Sequence, residues 1–340
     1  MVSIQQNVKL KQYNTFGIDE EARYFCEVKT QNEFIQLTQT ELYKTQKRLI
    51  LGGGRNVLLT KDFDGLVIHN SIKGIEVVAE SDDIIFLKAA SGEVWHHLVI
   101  HCVENNWGGI ENLSLIPGTV GAAPMQNIGA YGIEVREVIE KVEAIDVTSG
   151  AIKSFKSEEC KFGYRESVFK NDLREKFFIS SVTLRLKKKN HQLNTSYGAI
   201  ADTLKEMNIT TPTIKNVSDA VIKIRSEKLP DYNLLGNAGS FFKNPEISRE
   251  QFENLKNGFP SIPNYPTANQ RVKVPAGWLI EQCGWKGKKM NHVGVHDKQA
   301  LVLVNFGNGK GKEIFELAMQ ISSSVKEKFS ITLTPEVNIF

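Results

Sequence analysis

The sequence predicts an α+β fold with two or three domains. Segments typical of strands and segments typical of amphipathic helices are mixed along the whole chain. The length of 340 residues is enough for two or three domains, each with its own core. Two glycine-rich stretches, at 52–56 and 112–133, precede a C-terminal part that carries a dense loop of its own at 236–245.

Short apolar runs and helical periodicity give the individual elements. The predicted strands lie at about 24–28, 48–51, 66–69, 74–80, 84–92, 142–150, 177–189, 300–305 and 331–340. The predicted helices lie at about 31–46, 93–105, 216–227, 248–257 and 276–284, and a long one begins near 312. That last helix carries Ile314, Leu317, Ile321 and Val325 on one stripe, a pattern typical of a face turned toward the core.

Composition excludes several classes of function. Hydrophobic residues make up 41% and charged residues 24%, which is ordinary for a globular protein, and the net charge of +3 is too small to indicate a nucleic-acid partner. The four cysteines are far apart and form no CxxC pair, so neither a zinc site nor a disulfide framework is indicated. The first residues contain no apolar stretch typical of a secretory signal, so we expect a cytoplasmic protein.

The stretch at 112–133 has no charged side chain but is too broken by glycine, proline and polar residues to cross a membrane. What it offers is backbone: its glycines let N–H groups approach a ligand, and successive N–H groups form a concavity that binds anions. We interpret it as the cradle of a phosphate-bearing cofactor. The alternative is a buried loop with structural duties only.

A second stretch indicates the same chemistry. A strand opens into Gly52-Gly53-Gly54, a common way of bringing backbone amides to a phosphate. The pattern is not GxGxxG and no helical period follows, so a Rossmann unit is not expected.

Two histidines are the strongest metal candidates. His97 and His101 have the i,i+4 spacing of a metal-binding pair on a predicted helix. No carboxylate or third ligand is placed near them, so we favour two partly exposed helix histidines and predict no metal site.

Eight motifs, taken together and in order, resemble the family of UDP-N-acetylenolpyruvoylglucosamine reductases, the flavoenzymes that complete UDP-N-acetylmuramate in bacterial peptidoglycan synthesis. The motifs are NTFG at 14–17, LGGGRNVLL at 51–59, IPGTVGAAPMQNIGAYG at 116–132, FGYRES at 162–167, KLPD at 228–231, GNAGSFFKNP at 236–245, AGWLIEQ at 276–282 and PEV at 335–337. The segment around Tyr197 resembles the substrate-covering tyrosine loop of the type I branch.

The resemblance implies a two-part FAD-binding fold of the vanillyl-alcohol oxidase type followed by an α+β substrate domain. The corresponding boundaries are 1–72 and 73–225 for the two FAD-binding parts and 226–340 for the substrate domain. It also implies non-covalent FAD, with NADPH as co-substrate. The cofactor contacts that it assigns are Gly52, Gly53, Gly54, Arg55, Asn56, Ser114, Pro117, Gly118, Gly121, Ala122, Gln126, Asn127, Gly129 and Ala130.

The resemblance also assigns the catalytic roles. Arg165 would lie over the substrate carboxylate, where its guanidinium can bind carboxylate or enolate oxygens. Ser240 would donate a proton to the carbanion left by hydride addition, and Glu336 would assist in stabilising charge. Without the resemblance, these residues would be read as a surface ion-pair arginine, a turn serine and a strand-end glutamate.

The substrate contacts implied by the family are Tyr164, Tyr197, Lys228, Asn244 and Gln299. The expected partners are therefore UDP-N-acetylglucosamine enolpyruvate and NADPH, with no nucleic acid or membrane, and a monomer is expected. One departure is Asn338, which stands where many family members have an arginine, so the positive charge that the resemblance implies near Glu336 is missing.

Two alternatives stay open at this point. A different FAD oxidoreductase of the same fold, acting on a hydroxylated substrate, would share the glycine-rich stretches without needing Arg165, Ser240 and Glu336 together. A UDP-sugar binding protein without catalysis would have kept the fold alone, and the intact catalytic motifs argue against it.

Overall fold

A computed structural model describes residues 2–197, 199–267 and 270–340. Helices and strands are mixed along the chain, which confirms the α+β class. The strands are β1 Ile4–Lys9, β2 Glu21–Val28, β3 Arg48–Leu51, β4 Val57–Leu58, β5 Phe63–Asn70, β6 Ile75–Glu80, β7 Ile84–Ala90, β8 Gly129–Ala130, β9 Ile133–Glu134, β10 Ile139–Asp146, β11 Ile152–Lys156, β12 Phe177–Lys187, β13 Gly236–Ser240, β14 Glu246–Ile247, β15 Tyr265–Pro266, β16 Val272–Lys273, β17 Lys289–Met290, β18 Val293–Val295, β19 Val302–Asn305 and β20 Asn338–Ile339. The α-helices are α1 Gln31–Thr38, α2 Glu41–Thr45, α3 Trp95–Glu104, α4 Ile200–Glu206, α5 Ile214–Lys228, α6 Arg249–Gly258, α7 Ala276–Gln282 and α8 Gly311–Phe329.

The chain forms two compact units, each assembled from separate stretches of sequence. Unit 1 consists of Met1–Val8, Ala22–Gly53 and Asp64–Glu227. Unit 2 consists of Lys9–Glu21, Gly54–Phe63 and Lys228–Phe340. The division into residues 1–72, 73–225 and 226–340 stays a prediction.

Unit 1 contains two larger sheets. One has the order β1-β2-β5-β3, with β3 and β5 parallel, and the other has the order β11-β10-β12-β7-β6, with all pairs antiparallel. Helix α3 contributes Trp95, Leu98, Val99 and Cys102 to the core of the second sheet. Their spacing is that of one helical face, which explains why this segment folds as a helix.

The single helix expected at 31–46 is wrong, because the chain forms α1 and then α2 there. Thr40 interrupts the helix and caps the second one, since its Oγ1 accepts a hydrogen bond from the N–H of Tyr43 at 3.3 Å. The apolar period continues across this point and conceals the break, whereas a threonine at an N-cap position indicates it.

Unit 2 is built on the sheet β13-β19-β18-β17 and on α8. The predicted apolar stripe of α8 is confirmed, since Ile314, Leu317, Ile321 and Val325 are all buried. Two smaller sheets, β14-β16-β15 and the parallel pair β20-β4, complete this unit.

The strand predicted at 331–340 is mostly wrong, because only Asn338–Ile339 pairs as a strand. Pro335 forms one isolated bridge with Phe242, and proline has no N–H with which to continue a ladder. The neighbouring backbone still bonds on both sides of that bridge: Lys243 N–H donates to Thr334 O at 2.9 Å and Glu336 N–H to Phe241 O at 2.8 Å.

Membrane-spanning helices and metal clusters are two features to check in the structure. Among the residues that the structure describes, none of the helices has both the length and the apolar character needed to span a bilayer. Over the same residues, no group of three or more His, Cys, Asp and Glu side chains could hold a metal ion. His97 is exposed, and the ring of His101 packs edge-on against Trp107 with centroids 5.6 Å apart.

Candidate functional site

The two glycine-rich stretches meet in unit 1. A Cβ added to Gly52, the first residue after β3, would lie 2.6 Å from Oγ1 of Thr119. That distance is too short for any side chain, so the contact requires glycine at position 52. Thr119 is not among the predicted cofactor residues, because its importance comes from a contact with Gly52, which is distant in sequence.

This junction presents unpaired donors. Within the described ranges, the N–H groups of Gly52, Gly53, Gly118 and Thr119 donate no hydrogen bond. Gly118 has φ +125°, and a Cβ there would meet no atom within 4 Å, so open space adjoins the backbone. Successive free N–H groups in glycine-rich turns form a site suited to a diphosphate.

Residues 112–132, which we call the cofactor segment, are held by their own polar side chains. The buried hydroxyl of Ser114 donates to Glu111 O at 2.7 Å and lies 2.8 Å from the Ser218 hydroxyl. The Asn127 amide donates to Gly163 O at 2.9 Å and to Glu134 Oε2 at 3.1 Å. Both side chains are therefore engaged inside the protein, and the cofactor roles predicted for them would come from their backbone.

The other predicted cofactor residues of this segment differ in exposure. Pro117 and Ala122 are exposed, whereas Gln126, Gly129 and Ala130 are partly buried. Gly121 is required by packing, because a Cβ there would lie 2.6 Å from Cβ of Ser91.

Arg165 lies against the far end of the cofactor segment. Its Nη2 donates to Gly129 O at 2.8 Å and its Nη1 to Asn127 O at 3.3 Å, and the guanidinium carbon is 5.3 Å from the centre of the Tyr164 ring. The backbone of Arg165 has φ +57°, which is uncommon for a residue other than glycine and indicates a constrained turn. The structure thus brings Arg165 and Tyr164 together with predicted cofactor residues.

Tyr197 lies beside the same segment. Its Cβ would be 3.3 Å from a Cβ placed on Gly132, and its side chain is half exposed. Asn194 ties this loop to the segment, because its backbone carbonyl accepts from Asn112 Nδ2 at 2.9 Å. Gly198, which follows Tyr197 in the predicted substrate-covering loop, lies outside the described residues.

The rest of the glycine triplet belongs to unit 2. Gly54 has φ +60°, and a Cβ there would lie 1.8 Å from Tyr13 O, so no other residue fits. Thr15, in the NTFG turn, donates its N–H to Gly54 O at 3.1 Å. The Arg55 guanidinium stacks 3.9 Å from the ring centre of Tyr232.

Ser240 and Glu336 lie on neighbouring segments of unit 2. Ser240 ends β13 with an exposed side chain, and the next residue, Phe241, accepts a hydrogen bond from Glu336 N–H at 2.8 Å. Asn56 donates from Nδ2 to Glu336 O at 3.2 Å, and Asn338 donates to Asn56 O from both its N–H and its Nδ2 at 3.0 Å. Asn338 therefore holds the predicted cofactor residue Asn56 beside the backbone of Glu336.

The remaining substrate candidates are also in unit 2. Asn244 Oδ1 accepts from Ala276 N–H at 2.9 Å, at the start of α7. Gln299 Oε1 accepts from Leu301 N–H at 3.3 Å and lies 3.1 Å from a Cβ placed on Gly277, in the same helix. These amide groups are thus close to one helix end, while Lys228 is exposed at the end of α5.

Comparisons with known proteins agree with these features. A family model described as UDP-N-acetylenolpyruvoylglucosamine reductase, C-terminal domain, matches residues 230–340, and an FAD binding domain model matches residues 22–156. A UDP-N-acetylenolpyruvoylglucosamine reductase of Flavobacterium johnsoniae is 48% identical over 99% of this chain and 100% of its own length. The chain belongs to this reductase family. The family suggested by the sequence motifs is thereby confirmed.

Further relatives extend the similarity. A reductase of the same name from Amoebophilus asiaticus is 50% identical over 99% of both chains. A crystal structure of UDP-N-acetylenolpyruvylglucosamine reductase from Thermus caldophilus matches with a TM-score of 0.71 at 23% identity, covering 100% of each chain, and so supports the family fold.

The FAD-binding part includes the junction of Gly52 and Thr119, since both residues lie within 22–156. The residues at that junction fit the group: two glycine turns approach each other closely and carry N–H groups that donate no hydrogen bond among the described residues. The match to an FAD binding domain and the geometry of this junction both agree with the prediction of FAD as the cofactor.

Proposed function

We propose that this chain is an FAD-dependent UDP-N-acetylenolpyruvoylglucosamine reductase, also called UDP-N-acetylmuramate dehydrogenase, acting in peptidoglycan synthesis with NADPH as the hydride source. The observation that supports this reaction over others on the same fold is the adjacency of Ser240 and Glu336. Their segments are joined by the bond from Glu336 N–H to Phe241 O. An oxidase for hydroxylated substrates has no need of this serine and this glutamate on paired segments.

When bound, FAD supplies the hydride-transfer chemistry. Adding hydride to the enolpyruvyl methylene carbon of the substrate leaves negative charge on the adjacent carbon and its carboxylate. The protein must stabilise this charge and deliver one proton to that carbon. Few side chains are required, and their roles are electrostatic.

Arg165 is our candidate for binding the substrate carboxylate. Two of its N–H groups donate to Asn127 O and Gly129 O, which fixes the plane of the guanidinium. A guanidinium is positively charged, and its planar fork of donors matches the planar oxygens of a carboxylate. Tyr164, beneath the guanidinium, is proposed to contact the substrate as well.

Ser240 is our candidate for the proton donor, because its side chain is exposed at the end of β13 and so accessible to a ligand. Glu336 is proposed to stabilise charge through a hydrogen-bond network in which its carboxyl is protonated or shares a proton, since a bare anion would oppose the developing charge.

The substrate contacts and assembly complete the proposal. Tyr197 would cover the UDP part, while Lys228, Asn244 and Gln299 would bind diphosphate, sugar and uridine. We propose a monomer in the cytoplasm, where NADPH and UDP-linked sugars are available. Light scattering of the purified protein tests the oligomeric state.

The test of the reaction uses flavin absorbance under anaerobic conditions. The purified protein should be yellow, NADPH should bleach it, and UDP-N-acetylglucosamine enolpyruvate should restore the colour. Bleaching without recovery would instead support an oxidoreductase with another substrate. Protein that takes up no FAD would support a binding protein without catalysis.

A further inference from the structure

The cofactor segment is held in unit 1 by side chains from two helices. On α3, Trp95 Nε1 donates to Leu113 O at 3.0 Å, and His96 Nδ1 accepts from Leu115 N–H at 3.0 Å. On α5, the Ser218 hydroxyl lies 2.8 Å from that of Ser114. Three successive residues, 113 to 115, are therefore each anchored by a side chain, and only the His96 anchor can change its charge near neutral pH.

Leu115 is the residue most dependent on its anchor. It has φ +55°, a left-handed conformation that is costly for a residue with a branched side chain and persists only when its surroundings hold it. The chain then reaches Gly118 and Thr119 within four residues, and these provide unpaired N–H groups of the candidate diphosphate site. A shift at Leu115 would therefore displace those donors.

The bond from Leu115 fixes the protonation state of His96. A ring nitrogen accepts a hydrogen bond only when it carries no proton, so the imidazole must be neutral with its proton on Nε2. Burial lowers the pKa of His96, and the positive fields of His97 on α3 and Arg225 on α5 lower it further.

Arg225 strengthens the preference of His96 for the neutral form, because it is itself a buried positive charge. Its Nε has no hydrogen-bond partner among the described residues, and its guanidinium interacts with Tyr131, near the end of the cofactor segment. An imidazolium at His96 would thus lose the bond to Leu115 and also face a second cation.

We propose that His96 is a positioning residue for FAD: its neutral imidazole holds Leu115, and through it the cofactor segment, in the conformation that binds the diphosphate of FAD, and its protonation weakens FAD binding. The inference rests on the proposed function, because it takes the cofactor segment as part of the FAD site. His96 acts through the backbone and contacts neither substrate nor reacting atoms in this role.

The test measures the dissociation constant of FAD by flavin fluorescence at several pH values, in wild type and three variants. His96→Asn retains an acceptor, since Oδ1 of asparagine lies where Nδ1 of histidine does, but it does not titrate. His96→Ala removes the acceptor. His97→Asn is the matched control, because His97 is the exposed neighbour on the same helix.

Wild type and His97→Asn should lose about tenfold in FAD affinity between about pH 8 and about pH 5, which corresponds to about 1.4 kcal/mol. His96→Asn should bind FAD almost equally over that range, and His96→Ala should be weaker by about tenfold even at about pH 8. If His96→Asn keeps the pH dependence of the wild type, the inference is overturned.

Amide hydrogen exchange of the peptide containing Leu115, in the FAD-free protein, gives a second readout. Exchange should be faster in His96→Ala and close to wild type in His96→Asn, and equal protection in all variants would overturn the inference. Wild-type protein that binds no FAD at about pH 8 would overturn the proposed function. A pH dependence of FAD binding that substitutions of His96 leave unchanged would overturn this inference alone.

Discussion

Glu336 donates its backbone N–H to the carbonyl oxygen of Phe241 at 2.8 Å, which joins the segment carrying the candidate carboxylate to the one carrying Ser240. The bridge between Phe242 and Pro335 continues the same antiparallel contact. Because the backbone fixes this relationship, a substitution of either side chain should leave the other in place. The two proposed roles can therefore be separated experimentally.

Ser240→Ala should affect one half of the reaction only. We expect reduction of the flavin by NADPH to stay near the wild-type rate, while reoxidation by the enolpyruvyl substrate falls by about 10²- to 10⁴-fold, the usual contribution of a general acid. Rapid-mixing absorbance measures both halves. Thr334→Ala, an exposed change on the neighbouring segment, is the control and should leave both rates unchanged. Equal losses in the two halves would remove Ser240 from its role.

The elements that the sequence predicted best are those with local signals. The stripe of α8 follows from helical spacing alone, and the end of β3 follows from the glycine triplet directly after it. By contrast, the importance of Thr119 depends on its contact with Gly52, which is distant in sequence, so no local pattern carries it. Thr40 shows the opposite failure, since a local capping signal was present but the apolar period concealed it.

The histidines also show that spacing in the sequence does not reveal every contact at the site. The spacing of His97 and His101 drew attention as a metal pair, yet His96 is the histidine that bonds to the cofactor segment. Its partner is a backbone N–H of a residue with positive φ, a feature that side-chain patterns do not reveal.

Gly52→Ala should weaken FAD binding through one identifiable collision. The backbone of Gly52 is not left-handed, so alanine is conformationally acceptable there, but its Cβ would lie 2.6 Å from Thr119 Oγ1. We expect a loss of about tenfold or more in FAD affinity, or at least about 1.4 kcal/mol. The double variant Gly52→Ala/Thr119→Ala should regain the affinity of Thr119→Ala, as measured by flavin fluorescence titration.

Gly54→Ala serves as the contrasting control for that rescue. Its Cβ would collide with a backbone oxygen, that of Tyr13, at 1.8 Å, and its φ is +60°. No side-chain deletion can relieve this, so the variant should unfold at lower denaturant concentration with or without Thr119→Ala. A double variant at positions 52 and 119 that remains as weak as Gly52→Ala would refute the collision.

Gly132→Ala should displace the Tyr197 loop. A Cβ at Gly132 would lie 2.8 Å from Asn194 Nδ2 and 3.3 Å from Tyr197 Cβ, and φ is +80°. We expect substrate binding to weaken by about tenfold, or about 1.4 kcal/mol, more than turnover at saturation. Steady-state kinetics with varied substrate separate KM from kcat, and Tyr197→Phe should change them in the same direction. An unchanged KM in both variants would contradict the covering role of Tyr197.

Glu143→Gln should lower the stability of unit 1 at neutral pH and much less in acid. Burial alone would raise the pKa of Glu143, but hydrogen bonds from Lys88, Ser181 and Lys141 outweigh it and lower the pKa to about 2. A carboxyl whose folded pKa is depressed contributes stability above its unfolded value of about 4.5, and this is lost as pH falls toward about 2.

The side chain of Glu143 is only 16% exposed, and Lys88 Nζ lies 2.6 Å from it, so solvent screening is modest. We expect a loss of about 2–3 kcal/mol in the free energy of unfolding at pH 7 for Glu143→Gln, shrinking as the pH approaches about 3. Urea unfolding across this range measures it. Glu140→Gln, an exposed change on the same strand, should have little effect at any pH. A loss for Glu143→Gln that is the same at pH 7 and at about pH 3 would show that packing, rather than the carboxylate charge, stabilises this position.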